Sequence, residues 1–477
     1  MQSHPLQHHV SQRFKYRQQF VFDHEEDSSI TPHENPISLH FGCPHDGFFP
    51  VDSISLNVVN EPFQTYRDPQ SEMCQVTIPR ARSHPDQVDI AEAFQYGGDY
   101  GMDQFQAVLK EIVSKSHLPG FNDWDFVVSF GTGDAVYKVF DLFLDPNDSV
   151  LVEQYTFVPT LSSITCFGAN LVPLEMNFYG DGIDLDYLTN LLENWEALHP
   201  DKKFPKCLYT IPSGQNPTGT TQTLATREKI YELSCKYDII IIEDDPYGYL
   251  SLAPYNAPNP FDSTLDTSTY FEKYVPQSYI ELDTQGRVVR LESFSKVCSP
   301  GLRLGMIITN SMFIEKIKLF IAISSKQPSG ASEAIFYSIY KHFGGFEGWC
   351  RWLIKLSHEY TARKQALMSQ ISASTLCKSG KLHVLEPSHG MFLTIEFKFK
   401  SGTNVPKALN ELEKIGLEQG VLFVLGSRLS FEDEGKQKAS FVRLALSPGK
   451  DIEELSIAGK RFIDTCQIYF ARHEKDQ

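Results

Sequence analysis

At 477 residues, 41% hydrophobic and 22% charged, the chain has enough apolar material for a large core and enough length for about two domains. A formal charge of -17 argues against a nucleic-acid or anionic-membrane partner, so any anionic ligand must be held by local groups. Nine cysteines without a C-x-x-C pair read as reduced thiols, and no apolar run approaches the length of a membrane span. Since the first twenty residues also lack the Ser-rich amphipathic repeat of a transit peptide, the expected location is cytoplasmic.

Residues 1–36, rich in Gln and His and without a period, read as a mobile N-terminal arm. Seven of the fifteen histidines fall before residue 46, but His8 and His9 are adjacent rather than at ligand spacing, and no metal site is expected. Residues 37–95 read as the N-terminal part of a small domain. A short strand followed by a Gly/Pro-broken loop is expected over 37–50, and a short helix over 89–93. Tyr96-Gly-Gly-Asp-Tyr-Gly101 then reads as a turn before a helix over 105–113.

A large domain is expected over 96–329. The strand 126–130, the turn Gly131-Thr-Gly-Asp134 and the apolar-periodic helix 135–144 follow one another. A strand, a glycine turn and a helix N-terminus make a natural phosphate cradle, because free backbone N–H groups point at the anion. The alternation recurs with strands at 150–153, 171–174, 207–211, 239–243, 288–291 and 306–309 and a helix at 224–237, which makes an α/β fold with a mostly parallel sheet flanked by helices. The Pro-, Asn-, Asp- and Ser-rich stretch 255–280 reads as a surface excursion. Helical segments over 312–325 and 332–368 lead into a smaller α+β domain, residues 330–477. Its strands lie near 382–385, 391–397, 421–424 and 439–445, and its helices over 405–419 and 452–470.

In such sheets a ligand binds outside the carboxyl ends of the strands, and the chemistry-bearing groups fall there. Asn216, in Pro212-Ser-Gly-Gln-Asn-Pro-Thr-Gly219, follows one strand, and Asp244 and Tyr247, in Asp244-Asp-Pro-Tyr247, follow the next. Ser293-Phe-Ser-Lys296 and Arg303 follow a third. A lysine flanked by two hydroxyls, with an arginine after a Pro-Gly turn, suits a nucleophilic amine beside a bound phosphate.

This set resembles the fold type I pyridoxal-phosphate enzymes, aminotransferase class I/II. Longer stretches, 208–219, 237–247, 282–290 and His358-Glu-Tyr360, are similar to the fungal aromatic aminotransferase branch, related to the aminoadipate and kynurenine aminotransferases. The resemblance runs over about residues 37–465 and implies pyridoxal 5'-phosphate as cofactor. Lys296 would hold its aldehyde and shuttle a proton, and Asp244 would face the pyridine nitrogen. Asn216 and Tyr247 would hydrogen-bond the phenolic oxygen, and Phe157 would stack on the ring. Thr132, Gly133, Ser293, Ser295 and Arg303 would bind the phosphate, joined by Tyr96 from the other subunit of a homodimer. Arg443 would grip the substrate α-carboxylate, with Asn216 and Gly42 also on the substrate side. The implied reaction is ping-pong transfer of the amino group of an aromatic or other bulky L-amino acid to a 2-oxo acid such as 2-oxoglutarate. Two competing readings are a lyase performing elimination or carbon–sulfur cleavage on the same fold, and a non-enzymatic ligand-binding protein that retains the fold.

Three places depart from the family pattern. The pocket loop His40-Phe-Gly-Cys-Pro44 keeps only Gly42 of a glycine-rich run, and Phe41 and Cys43 add bulk there. Asp134 stands in the phosphate turn where a neutral amide is common, either as a helix cap or paired with Lys138, and its charge would weaken phosphate binding. Leu425-Gly426 replaces an expected Pro-Gly, and Arg428 two residues on is read as solvent-exposed.

Overall fold

Runs such as Val150-Leu-Val152 and Ile240-Ile-Ile242 offer no polar face to solvent, so as strands they must be covered on both sides. The computed structural model describes residues 4–18, 31, 33–35, 37, 39, 42–65, 70–98 and 100–474. Seven strands form its main sheet: β1 (Trp124–Ser129), β2 (Ser149–Glu153), β3 (Asn170–Leu174), β4 (Pro205–Thr210), β5 (Ile240–Asp244), β6 (Val288–Ser293) and β7 (Gly305–Asn310). Their order is β1-β7-β6-β5-β4-β2-β3. β7 is antiparallel to both its neighbours and every other pairing is parallel. Successive side chains alternate between two apolar clusters: Ile240 and Ile242 join the one that contains the helix Thr132–Phe143, and Ile241 joins the other. The mostly parallel α/β sheet expected from the sequence is present.

A second sheet is wholly antiparallel, with strands β8 (Leu382–Leu385), β9 (Phe392–Phe397), β10 (Val424–Leu425) and β11 (Phe441–Ala445) in the order β8-β9-β11-β10. The helices Val405–Gln419 and Ile452–Glu474 close its apolar side, where Leu409, Leu412, Ile415 and Phe462 pack with Leu393 and Ile395.

Several expectations are corrected. The helical region 332–368 is two helices, Gly330–His342 and Phe346–Ser372, because Gly344 and Gly345 take φ values of 93° and 77° that a right-handed helix does not hold. No strand occurs among the described residues of 37–50; an antiparallel hairpin, Ile54–Val59 with Met73–Ile78, follows instead. Of 421–424 only Val424 enters a strand. The stretch 255–280 lies largely at the surface, as expected, but it is anchored and partly helical. Its polar residues cap the helices Thr267–Tyr274 and Tyr279–Leu282 while Phe261, Tyr270, Tyr279 and Ile280 are buried.

Residues 4–18 of the expected mobile arm are seated on the main domain. Leu6 and Phe14 are buried, Ser11 N–H donates to Leu142 O at 2.7 Å, Arg17 forks onto Asp141, and His8 and His9 pair with Asp238 at 2.6 and 3.0 Å. Aperiodic composition concealed this because every partner is remote in sequence. Adjacency in sequence did not keep the histidines from a shared partner: His8, His9 and Asp238 are the one group of three or more among the described residues whose potential metal-ligand atoms lie within 4.8 Å of one another. No described helix is long and apolar enough to cross a membrane.

Candidate active site

β4, β5 and β6 run side by side and parallel, so their carboxyl ends deliver three loops to one edge. Asp244 ends β5 and is buried; its Oδ2 accepts the Tyr209 hydroxyl at 2.6 Å, while its Oδ1 is buried without a partner among the described residues. Burial and the neighbouring Asp245 push the Asp244 carboxyl up to about 7, against the opposing pull of the Tyr209 hydrogen bond. Behind it, the buried Arg290 pairs with Asp245 at 3.0 Å, Glu243 at 3.1 Å and Glu292 at 3.0 Å. Although burial opposes it, this guanidinium and that of Arg227 hold the Asp245 carboxyl below its ordinary range.

Asn216 connects the two sheets. Its Oδ1 accepts Arg443 Nη1 at 2.6 Å. The nearby Tyr247 is buried, and burial pushes its hydroxyl well above its ordinary value. Arg443 lies in β11 opposite Thr394 of β9, and Thr394 Oγ1 donates to Pro217 O at 2.7 Å, tying the second sheet to the Asn216 loop. The Arg443 guanidinium lies 4.3 Å over the Phe392 ring, and its Nε is buried without a partner among the described residues. Lys296 is exposed at the strand-end edge; partial desolvation of its ammonium, then the charges of Arg303 and Arg443, hold it below the ordinary lysine range.

A second cluster lies where β1 enters the helix Thr132–Phe143. Gly131 has φ 78° and leaves the helix start without a side-chain cap, and a Cβ there would fall 2.6 Å from Arg303 Nη2. Gly133 faces open space. Arg303 donates to Phe130 O at 2.8 Å and to Ser295 Oγ at 3.4 Å, and no carboxylate among the described residues pairs with it. Ser295 N–H in turn donates to Ser293 Oγ at 3.2 Å.

The single chain leaves other expected site residues outside this hydrogen-bonded set. Phe157, at the cap of the helix Val158–Thr165, is 42% exposed; Tyr96 is 67% exposed; a Cβ on Gly42 would meet nothing within 4 Å. His40 and Phe41 of the altered pocket loop lie outside the described residues, and Cys43 is exposed. Arg428 is exposed and forks onto Glu413 at 2.6 and 2.7 Å. A cleft of ≈ 630 Å³ beside His117, Arg227 and His389 contains none of the expected site residues, so side-chain chemistry rather than cavity size locates this site.

Sequence reasoning missed four residues that hold the cluster together. Tyr209 restrains Asp244 and lies 3.2 Å from Thr160 Oγ1. Glu153 accepts from Thr210 at 2.7 Å and from Gln215 at 2.8 Å, and Gln215 holds Tyr155 O and Thr218, bracing the loop that carries Asn216. Phe392 floors Arg443. One signal was available: a buried tyrosine hydroxyl finds a polar partner, and Tyr209 stands near the end of an apolar strand.

Leaving a buried polar atom unpaired costs about 1–3 kcal/mol. Asp244 Oδ1 and Arg443 Nε therefore suit a ligand that brings a ring N–H to one and a carboxylate to the other. The uncapped helix start and Arg303 suit a phosphate.

A family model described as aminotransferase class I and II matches residues 65–462. The chain belongs to this family. The aminotransferase is 34% identical over 473 residues to aromatic amino acid aminotransferase 2 of Saccharomyces cerevisiae, covering 92% of each chain. It is 31% identical to the L-tyrosine:2-oxoglutarate aminotransferase of Tapinella panuoides, over 76% of this chain and 68% of that one. The crystal structure of the aromatic aminotransferase Aro9 from Candida albicans superposes with a TM-score of 0.92, at 37% identity and 99% coverage of both chains. The cofactor of the aminotransferase is pyridoxal 5'-phosphate, and the unpaired Asp244 and Arg443 atoms and the uncapped turn at Gly131 fit it and its substrate.

Proposed function

We propose that this aminotransferase moves the amino group of an aromatic L-amino acid to a 2-oxo acid such as 2-oxoglutarate. The observation that carries the amino acid and oxo acid class is Arg443: its guanidinium is held by Asn216 and seated over the Phe392 ring with Nε unpaired, an anchor for the carboxylate both substrates share. The names of the yeast and Tapinella relatives support the same class.

Bound pyridoxal phosphate supplies an aldehyde for the amino group and a ring that takes up the electrons of the broken Cα–H bond. Lys296 Nζ, its ammonium held below the ordinary range, would hold that aldehyde and would carry the proton at substrate Cα. Asp244 Oδ1, left free while Tyr209 occupies Oδ2, would hold the proton at the ring nitrogen. Asn216 and Tyr247 would orient the phenolic oxygen, and the exposed Phe157 would cover the ring face. Thr132, Gly133, Ser293, Ser295 and Arg303 would hold the phosphate, the last three being already linked to one another. Arg443, with Asn216 beside it and Gly42 on the substrate side, holds the α-carboxylate.

The test is the absorbance of the yellow holoenzyme with phenylalanine and no oxo acid. We expect the colour to bleach and to return on adding 2-oxoglutarate, with one phenylpyruvate per amino group moved. Ammonia release in place of transfer would favour the lyase reading, and no response to a panel of aromatic amino acids rejects the substrate class.

We also propose a cytosolic homodimer in which Tyr96 reaches the partner's phosphate site. Tyr96, Ile37, Leu39 and Phe48 are all exposed, which suits coverage by a second copy, and the nine free cysteines suit a reducing compartment. Recovery from the cytosolic fraction at twice the mass of one chain is the expected result. A monomer, or recovery from an oxidising compartment, rejects the corresponding half.

A further inference from the structure

The turn assigned to the phosphate carries a negative charge of its own. Asp134 follows the uncapped Thr132 and Gly133, and a carboxylate there repels a phosphate. Yet it is built into the turn: its Oδ2 accepts the Phe130 N–H at 3.0 Å, and its Oδ1 pairs with Lys138 one helical turn on.

Lys138 is placed in an unusual way. Its side chain is 2% exposed, against 27% for Asp134, and among the described residues Asp134 is its only carboxylate partner. The ammonium otherwise faces two aromatic rings, Phe130 at 5.7 Å and Phe320 at 5.8 Å. A buried ammonium is costly to keep, and one helix position needing only bulk would be served by Leu or Met. Phe130 is where the parts meet. Its N–H goes to Asp134, its carbonyl to Arg303 and its ring to Lys138.

We propose that Lys138 is a positioning residue for the cofactor phosphate: it cancels the charge of Asp134 while leaving that carboxylate to clamp the Phe130 N–H, and so holds the Gly131 turn in a form that accepts a dianion. This rests on the phosphate placement proposed above. Asp134 and Lys138 then act as a unit. Losing Lys138 alone leaves a bare carboxylate beside the phosphate, whereas combining Lys138→Met with Asp134→Asn leaves a neutral turn in which the side-chain amide oxygen still accepts the Phe130 N–H.

The experiment is equilibrium titration of cofactor-free protein with pyridoxal phosphate, followed by absorbance, with melting of each cofactor-free form as the fold control. Lys138→Met should weaken binding at least ~10-fold, and the Asp134→Asn/Lys138→Met double variant should return to within about 3-fold of the unaltered protein. A merely structural lysine would not be rescued by removing its partner's charge. Unaltered affinity in Lys138→Met, or a double variant as weak as the single one, overturns the inference. Arg303→Met is run beside them. If it weakens binding while Lys138→Met does not, only the pairing inference falls; if it binds normally, the phosphate placement itself falls. Should Lys138→Met fail to fold, Asp134→Asn decides: binding as tight as or tighter than the unaltered protein supports the inference, and a tenfold loss overturns it.

Discussion

Replacing Lys296 by Ala should lower kcat by at least ~10⁴-fold, because in the proposed assignment one side chain supplies both the covalent hold on the cofactor and the proton transfer at Cα. Among the basic groups around it, Arg303 is tied to Phe130 and Ser295 and Arg443 to Asn216, and guanidinium groups do not give up a proton at working pH. Added methylamine, small enough to enter the space left by the lysine stem, should restore part of the rate, whereas it does nothing for the unaltered enzyme. Single-turnover kinetics with phenylalanine checks the result, and a variant that keeps near-normal activity removes Lys296 from the chemistry.

Asp244→Asn should cost roughly 10²–10³-fold in kcat, the equivalent of breaking one buried ion pair worth about 3–5 kcal/mol. The substitution is nearly isosteric, and its amide oxygen can still accept the Tyr209 hydroxyl, so the loss reports charge rather than packing. Stability provides an independent check with an opposite sign. Burial raises the Asp244 carboxyl from its ordinary 3.8 to about 7 in the folded protein, so its ionisation costs stability fully above pH 7, and that cost disappears as pH falls toward 4. Cofactor-free Asp244→Asn should therefore melt higher than the unaltered protein at pH 8 and lose this advantage near pH 4. Full activity in this variant would assign the ring nitrogen to another partner.

The sheet was legible from local pattern. Buried Val/Ile runs, glycine turns and apolar-periodic helices are properties of adjacent residues, and the strands at 150–153 and 171–174 lie within the observed β2 and β3. Where local pattern misled, a distant partner had intervened. The polar stretch 255–280 reads as a surface excursion until its own Tyr270 and Tyr279 are seen to be buried anchors, and the arm 4–18 reads as mobile until Asp141 and Asp238 are seen to hold it. The pair Asp134 and Lys138 was visible as a spacing of four, but not that Lys138 is buried, and burial is what gives the pair its consequence.

By itself the sequence determined the α/β class, the order of the strand-end loops and the kinds of group each loop carries, because these depend on short-range periodicity and on turn chemistry. Only the tertiary structure decided which groups meet. Tyr209 reaches Asp244 across 35 residues of chain and Arg443 reaches Asn216 across 227, contacts created when parallel strands align their ends and the second sheet closes on the first. Burial, which raises Asp244, lowers Lys296 and leaves Arg443 Nε unpaired, is a property of the packed molecule, and it turns a set of polar residues into a site able to hold and move a proton.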